Sequence, residues 1–413
     1  MDLAYSFDHP PATPQAALDV CGQTLDLGPQ ADAVQRLCAA LEPSVVARDK
    51  QGGSAFAQHA LLRESGLTTL AVPQAFGGQQ APWDRVLRTV RRIAQSDSSL
   101  GHIFAFQHLQ VATVLLFGSP AQQQRLLQGT VQHRWLWGNA VNARDTRLEV
   151  RPQGDGFVLQ GVKSFCSGTR GSDMMTVSVA LGSAPTERLF AAIPTTREGV
   201  TALDDWDAIG QRQTDSGTVQ FEAVPIHADE ILRDPGPASS PRATLRNMLG
   251  QIMLTENYLG NALGALRLAA EYTREHAKAW AMANVQEAVE DPYLLLRSGD
   301  LWMQLRGAVA LSELANRHFE QAWQRGLALT AEQRGALSVD VAAARALAAR
   351  TALQVTSQIF EMVGARATAN RNGFDRFWRN VRTHTLHDPI DYRLKEVGRW
   401  LLTGAPPNPY SYG

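Results

Sequence analysis

Cysteine is scarce in this chain: Cys21, Cys38 and Cys166 are its three thiols in 413 residues. That number cannot brace a fold of this length with disulfides. An excess of charge of either sign is missing too. Lys plus Arg total 39 and Asp plus Glu 40, a formal net charge of −1, which argues against nucleic acid or an anionic membrane as the main partner. Apolar runs are short; Val111–Phe117 falls well below the length that spans a bilayer. The start, Met1-Asp2-Leu3-Ala4-Tyr5-Ser6-Phe7-Asp8, has neither the basic cluster nor the apolar stretch of a secretory signal. No strand-like segment is followed by G-x-G-x-x-G and no β–α alternation occurs, which argues against a Rossmann unit. A cytoplasmic location is the expectation these absences leave.

What is present is a change of texture along the chain. Residues 13–130 carry apolar side chains at helical spacing, as in Val34, Leu37, Cys38, Leu41 and Val45 within Ala31–Lys50. Leu67–Val72 reads as a short extended piece before Pro73 and the Phe76-Gly77-Gly78 turn. Trp83–Gln95 and Gly101–Phe117 are helical by period, and Ser119-Pro120 opens the next helix with a hydroxyl cap and a first-turn proline. Between Trp135 and Leu232 short apolar blocks alternate with Gly, Asp and Pro turns, the pattern of an antiparallel β domain. From Arg242 onward four helical segments are expected, near 242–284, 293–325, 331–364 and 374–402, with a capping box at Thr330–Gln333 and a stop at Gly364. The expected fold class is α+β, mainly α. It comprises an N-terminal helical domain (1–133), a central antiparallel, barrel-like β domain (134–238) and a C-terminal four-helix bundle (239–413).

Several local patterns could carry chemistry, and each has a plainer reading. Gly138-Asn139-Ala140 follows an aromatic stretch, where Asn139 offers donors and an acceptor and Gly138 admits close backbone approach to a planar ring. An ordinary strand-ending turn explains it equally well. Lys163-Ser164-Phe165-Cys166-Ser167-Gly168 has hydroxyls that could bond a cofactor, but Ser167 has no base near it in sequence that would make it a nucleophile. Trp206 stands in a polar loop and could frame a pocket or simply fill the core. His102 and His108, six residues apart, do not share a helix face, and no ligand set around them suggests a metal. His384 and His387 could share a face at a helix junction. Asp388, just before Pro389, is placed to cap the following helix, leaving His387 as a donor or base.

Taken together these residues resemble a known family. Val72-Pro73-Gln74-Ala75-Phe76-Gly77-Gly78, Gly161-Val162-Lys163-Ser164-Phe165 and Ile209-Gly210-Gln211-Arg212-Gln213-Thr214-Asp215-Ser216 look like motifs of the acyl-CoA dehydrogenase superfamily. Phe374–Pro389, Lys163–Gly168, Ser99-Leu100-Gly101-His102 and Gly138-Asn139-Ala140 are similar to the dibenzothiophene monooxygenase-like flavin enzymes within it. Where the dehydrogenases carry a catalytic Glu, this chain has His387-Asp388-Pro389. Where they carry a Gly-Gly-x-Gly turn for the adenosine half of FAD, it has Gly364-Ala365-Arg366-Ala367. A guanidinium there suits a terminal phosphate, which favours FMN.

The resemblance implies a two-component enzyme. A separate NAD(P)H-dependent reductase supplies reduced FMN, O2 adds at flavin C4a, and the hydroperoxide passes one oxygen atom to the substrate. It assigns His387, His102, Ser167 and Asn139 to the flavin–oxygen locus. Asn139, Ser167, Trp206, Lys278 and Arg366 are assigned to cofactor binding, with Arg366 reaching the phosphate, if need be from a neighbouring subunit. His387 would donate to the distal peroxide oxygen or supply its proton. A small aromatic substrate and a homotetramer are implied as well, with an aromatic sulfur heterocycle first and indole second. An FAD-dependent acyl-CoA dehydrogenase with Asp388 as its base, and a non-catalytic flavin-fold binding protein, are the competing readings.

Overall fold

A computed structural model describes residues 27–182 and 187–409; Cys21 and the Met1–Asp8 start lie outside the described residues. The chain begins with α1 (Ala31–Leu41), α2 (Val45–Gln51) and α3 (Phe56–Glu64). The helical period read over Ala31–Lys50 is interrupted by a 3₁₀ turn at Glu42–Ser44, where Pro43 removes an amide donor. Leu67–Val72 is not extended: a 3₁₀ turn occupies Leu67–Thr69. Its backbone is satisfied by side chains of a neighbouring helix. Gln107 Nε2 donates to Thr68 O at 3.2 Å, and His108 Nε2 lies 3.1 Å from Leu67 O, so no strand partner is needed.

Three longer helices follow: α4 (Trp83–Ser96), α5 (Ser98–Phe117) and α6 (Pro120–Gln132), the last opened by the Ser119–Gln122 capping box. The apolar run at Val111–Phe117 is only the end of α5, which by length and composition could cross a membrane. Here it is buried at 19 of its 20 residues. A helix apolar on every side must be covered on every side, and α5 is accordingly the core around which the other elements close.

The strands form two sheets. One has the order β1 (Trp137–Ala140), β4 (Met174–Ala180), β5 (Arg188–Pro194); the other has β2 (Leu148–Gln153), β3 (Gly156–Lys163), β7 (Val219–Ile226), β6 (Val200–Ala202). Among the described residues this is a pair of sheets sharing one apolar core of Leu159, Met175, Val177, Phe221 and neighbours, not a closed ring of strands. Pairing is antiparallel except for β1 with β4, which run parallel, a departure from the all-antiparallel expectation. The parallel pair is possible because the Ser167 loop and β2–β3 intervene between the two strands and supply a long crossover.

The C-terminal part holds α7 (Leu245–His276), α8 (Pro292–Gln324) and α9 (Ala331–Val363), packed on one another. The fourth segment of the expected bundle is broken into α10 (Asp375–His384) and α11 (Ile390–Thr403) by the Thr385–Pro389 corner. Thr330 caps α9 through the expected box, and Gly364 ends it with φ +72°.

A buried ion network ties α4 to the bundle. Arg91 Nε meets Glu256 on α7 and Arg91 Nη2 meets Glu313 on α8, each at 2.5 Å. Glu256 also accepts from Ser312 Oγ at 2.6 Å and Asn316 Nδ2 at 2.8 Å. Arg91 and Glu256 side chains are fully buried, so removing one charge strands the other. Glu256→Ala is expected to lower unfolding stability by about 3–5 kcal/mol, with Glu256→Gln milder because its amide still accepts. Urea denaturation of the two variants checks the order.

Candidate active site

The site starts from α5. Asp97 caps this helix by accepting from Leu100 N at 3.1 Å, which places His102 in its second turn. Asn139 comes from β1 and Ser167 from the loop after β3. Asn139 N donates to Ser167 O at 3.1 Å. Gly138 makes that approach possible, since a Cβ there would lie 2.7 Å from Thr169 Cα. The backbone it admits is therefore the neighbouring loop rather than the planar ring expected from sequence. The Ser167 loop turns through left-handed Phe165 (φ +58°) and Gly168 (φ +66°) and is zipped to 211–217 by Gly168 N→Thr214 O and Cys166 N→Gly217 O, both 3.0 Å.

A chain of short polar contacts follows. His102 Nε2 lies 3.0 Å from Ser167 Oγ, Ser167 Oγ lies 2.7 Å from Ser216 Oγ, and Thr214 Oγ1 lies 2.7 Å from Ser216 Oγ. Gln110 Nε2 donates to Asn139 Oδ1 at 3.0 Å. Trp206 is half-buried, and its Nε1 donates to Gln211 O at 2.9 Å. Gln211 itself locks the loop to two helices: its backbone N donates to Asn380 Oδ1 and its Nε2 to Ser98 Oγ, both at 2.6 Å. Gly210 has to lack a side chain because a Cβ would overlap the Arg379 carbonyl on α10.

All five of His102, Asn139, Ser167, Trp206 and His387 line one cavity of about 850 Å³, a size typical of cofactor and substrate sites. Lys278 and Arg366 do not line it. Both are exposed and lie beyond the far ends of α7 and α9. Leu254 of the cavity and His276 at the end of α7 are separated by about 33 Å at ~1.5 Å per helical residue. Within one subunit Lys278 and Arg366 therefore cannot hold a cofactor seated in this cavity.

The corner after α10 also differs from expectation. Asp388 makes no cap on α11: no side-chain capping bond is present there. Instead it is buried and ion-paired with Arg345 of α9, with Arg393 Nε at 3.7 Å. His387 Nδ1 lies 3.2 Å from Asp388 Oδ1. Burial by itself would raise the Asp388 pKa. The His387 hydrogen bond and the Arg345 and Arg393 charges outweigh it and hold the carboxyl below its ordinary value. Asp388 is thus an ionised group whose Oδ1 takes the Arg345 and His387 contacts and orients His387, whose side chain is 36% exposed toward the cavity.

His384, read in the sequence only as a partner in spacing for His387, packs its ring 4.8 Å from His102 and 6.0 Å from Tyr258. Burial, then the neighbouring His387, pushes the His102 pKa down to about 3. Burial and the positive neighbours push His384 well below its ordinary value as well. Both rings are neutral at pH 7. Gln211, Thr214 and Ser216 were visible only inside a motif, and Arg345 only as a charge in the alanine-rich, buried face of α9.

Among the buried atoms of cavity residues without a hydrogen-bond partner are His102 Nδ1, His384 Nδ1, Thr383 Oγ1 and Gln211 Oε1. Together they present both donors and acceptors beside the apolar side chains of Phe106, Leu109 and Leu254. A planar heterocycle with ring nitrogens and carbonyls, such as a flavin, fits such a set.

Comparison with known proteins decides the family. Models for the N-terminal and C-terminal domains of acyl-CoA dehydrogenase match residues 30–134 and 252–392. A probable FMNH2-dependent monooxygenase, SfnC of Pseudomonas putida, is 42% identical over 92% of this chain and 96% of its own length. The dibenzothiophene monooxygenase of Mycolicibacterium goodii is 42% identical over 92% and 95%. Among solved structures, methanesulfinate monooxygenase MsuC from Pseudomonas fluorescens superposes with TM-score 0.91 at 42% identity, covering 94% of this chain and all of that one. The complex of TdsC from Paenibacillus sp. A11-2 with FMN and indole gives 0.88 at 38%, with 94% and 100% covered.

The chain belongs to the flavin-dependent monooxygenases of the acyl-CoA dehydrogenase family. The fold and its monooxygenase-like corner are accounted for by that membership. So is the loss of a dehydrogenase base, since Asp388 is committed to Arg345 and His387.

His59, His102 and His108 are all held down by burial, to about 4, 3 and 3. Each is neutral when folded and protonates when unfolded below pH ~6.5. Stability should therefore be full above that pH and fall as pH drops toward 4, by about 1.4 kcal/mol per pH unit per histidine. Denaturation at pH 5–8 measures the slope, and His102→Gln should remove one histidine's share of it.

Proposed function

We propose that this monooxygenase accepts reduced FMN from a separate NAD(P)H-dependent flavin reductase and transfers oxygen from O2 to the sulfur of a small aromatic substrate. The observation that carries this reading is the single cavity that collects His102, Asn139, Ser167, Trp206 and His387 from separate segments of the chain. Bound reduced FMN supplies the activation of O2. The protein's share is to bind, orient and keep water out. Asn139 and Ser167, fixed by Gln110 and Ser216, offer amide and hydroxyl groups to a flavin edge. Trp206, with Phe165 whose ring centroid is 6.0 Å away, would wall the flavin site on the loop side. Neutral His102 passes hydrogen-bonding direction to Ser167 without adding charge. His387, oriented by Asp388, presents a ring N–H at the cavity wall, where it can donate to oxygen.

Dehydrogenation of an acyl-CoA needs a carboxylate free to take an α-proton. Asp388, buried and bridged to Arg345, does not meet that need. The phosphate grip is assigned to Lys278 and Arg366 of a neighbouring subunit in a homotetramer. Exposed apolar residues on α8 and α11, among them Tyr293, Leu296, Met303 and Leu402, support such an assembly because large apolar surface favours burial against a partner. Dibenzothiophene stands first among substrates, since a relative is named for it; indole, bound in TdsC, stands second.

Reduced FMN, regenerated by an unrelated reductase, should convert dibenzothiophene to its sulfoxide with label from ¹⁸O2. His387→Ala should lower that rate by about 10²-fold or more while FMN affinity changes little. Label-free product would overturn oxygen transfer from O2, and an unchanged rate in the variant would remove His387 from the chemistry.

A further inference from the structure

Glycine inside a helix costs stability, because it gives up more backbone freedom than any other residue and packs no side chain. Helix α7 nevertheless carries three, Gly250, Gly260 and Gly264. Two of them are explained by packing. A Cβ at Gly260 would overlap the Arg91 carbonyl oxygen and one at Gly264 that of Gln95, so both let α4 lie close against α7. Gly250 has no such reason. Beyond its own stretch of helix, an added Cβ would meet a single atom within 4 Å, Leu109 Cδ2 at 3.7 Å, which is ordinary van der Waals contact. Its backbone is regular right-handed helix, a conformation that any side chain but proline's adopts without strain.

What Gly250 faces is the cavity. Leu109 lines the wall across from it, with Phe106 one turn earlier on α5 and Met248 and Leu254 near it on α7. These four side chains are apolar and buried. Gly299, Gly307 and Gly398 also have open space around them, but none of the three lines the cavity. Among the described residues Gly250 is the one glycine that does. Its place along the cavity is set by α5. His102, which touches Ser167, and Leu109 are seven residues apart on that helix, about 10 Å at ~1.5 Å per residue. The gap at Gly250 therefore lies two helical turns from the His102 end, among apolar side chains. Protein packing does not return what this glycine costs its helix; room in the cavity does.

We propose that Gly250 sets the size of substrate this cavity accepts: the gap left by its absent side chain, between α5 and α7, receives the outer ring of a neutral fused-ring aromatic whose heteroatom lies toward His102 and His387. The proposal rests on the monooxygenase reading for which end reacts, but its content is a ring-size preference in binding, which is measured without turnover. Aromatic carbon laid against Phe106, Leu109, Met248 and Leu254 releases water from both surfaces and leaves no polar group unsatisfied. A methyl group in the gap would take the place of ring atoms, and one methylene-sized change in an apolar pocket shifts discrimination by about tenfold or more. A two-ring compound that ends short of the gap loses little. Stability and binding thus move in opposite directions on Gly250→Ala, because the helix gains what the three-ring ligand loses.

The test is fluorescence titration of the FMN-loaded protein with dibenzothiophene, benzothiophene and indole, paired with urea denaturation of each variant. Gly250→Ala should unfold at higher urea than the unaltered protein and bind dibenzothiophene about tenfold more weakly. Its affinity for benzothiophene and indole should stay within threefold. Gly250→Leu, which fills the gap, should weaken dibenzothiophene further and still spare the two-ring compounds. Equal losses for two-ring and three-ring ligands would overturn the proposal, since a general obstruction is not a size limit. So would undiminished dibenzothiophene binding in both variants, or no binding of it by the unaltered protein. A Gly250→Ala variant less stable than the parent would show that packing requires the glycine and would overturn it too. A tenfold fall in FMN affinity would assign the gap to the cofactor and remove the substrate role. If ring-size preference shifts as expected while reduced FMN and O2 oxygenate none of the three, Gly250 keeps its role and the monooxygenase reading falls.

Discussion

Burial of α5 is the constraint from which the rest of this structure follows. A helix apolar around its whole circumference has no face for water, so every neighbouring element must close on it. Its few polar side chains then have to find partners where those elements meet. Ser98 does so with Gln211 and Asn257, Gln107 with Thr68 and Trp137, Gln110 with Asn139, and Thr113 with Arg246. The contacts to Gln211, Asn139 and Arg246 fix walls of the cavity relative to α5. An unpaired amide or hydroxyl at such depth would cost more than a typical hydrogen bond contributes, so the walls are held in register by the price of misplacing them.

Electrostatics divides the same space. The buried cavity histidines, His102 and His384, are kept neutral first by burial and then by their neighbours, His387 in both cases. Charge is kept where it can be balanced: Asp388 between Arg345, His387 and Arg393, and Glu256 and Glu313 around Arg91. The outcome is a reacting end with little fixed charge, next to a carboxylate that is too well paired to serve as a base. That combination suits oxygen transfer better than removal of a proton from carbon.

Much of this was legible in the residues. Helical period, the Ser119 cap, the Thr330 capping box and the Gly364 stop are local features, set within a few residues by backbone hydrogen bonding, and they sit in the structure where the sequence puts them. His102, Asn139, Ser167, Trp206 and His387 were recognisable because each stands in a short motif. Leu67–Val72 misled because its apolar residues suit a strand and a buried turn alike, and only Gln107 and His108 decide between them. Asp388 misled for a similar reason. A carboxylate before Pro389 has the local pattern of a cap, while its actual partner, Arg345, is forty-three residues away.

By itself, the sequence determined where helices and strands form and which residue types stand at the turns, because those choices depend on interactions between near neighbours. Only the tertiary structure decided which of those residues share a cavity, that Lys278 and Arg366 stand apart from it, and that Asp388 is an ion-pair partner. Those outcomes depend on which distant segments are forced together when α5 is buried, and no spacing along the chain encodes such distances.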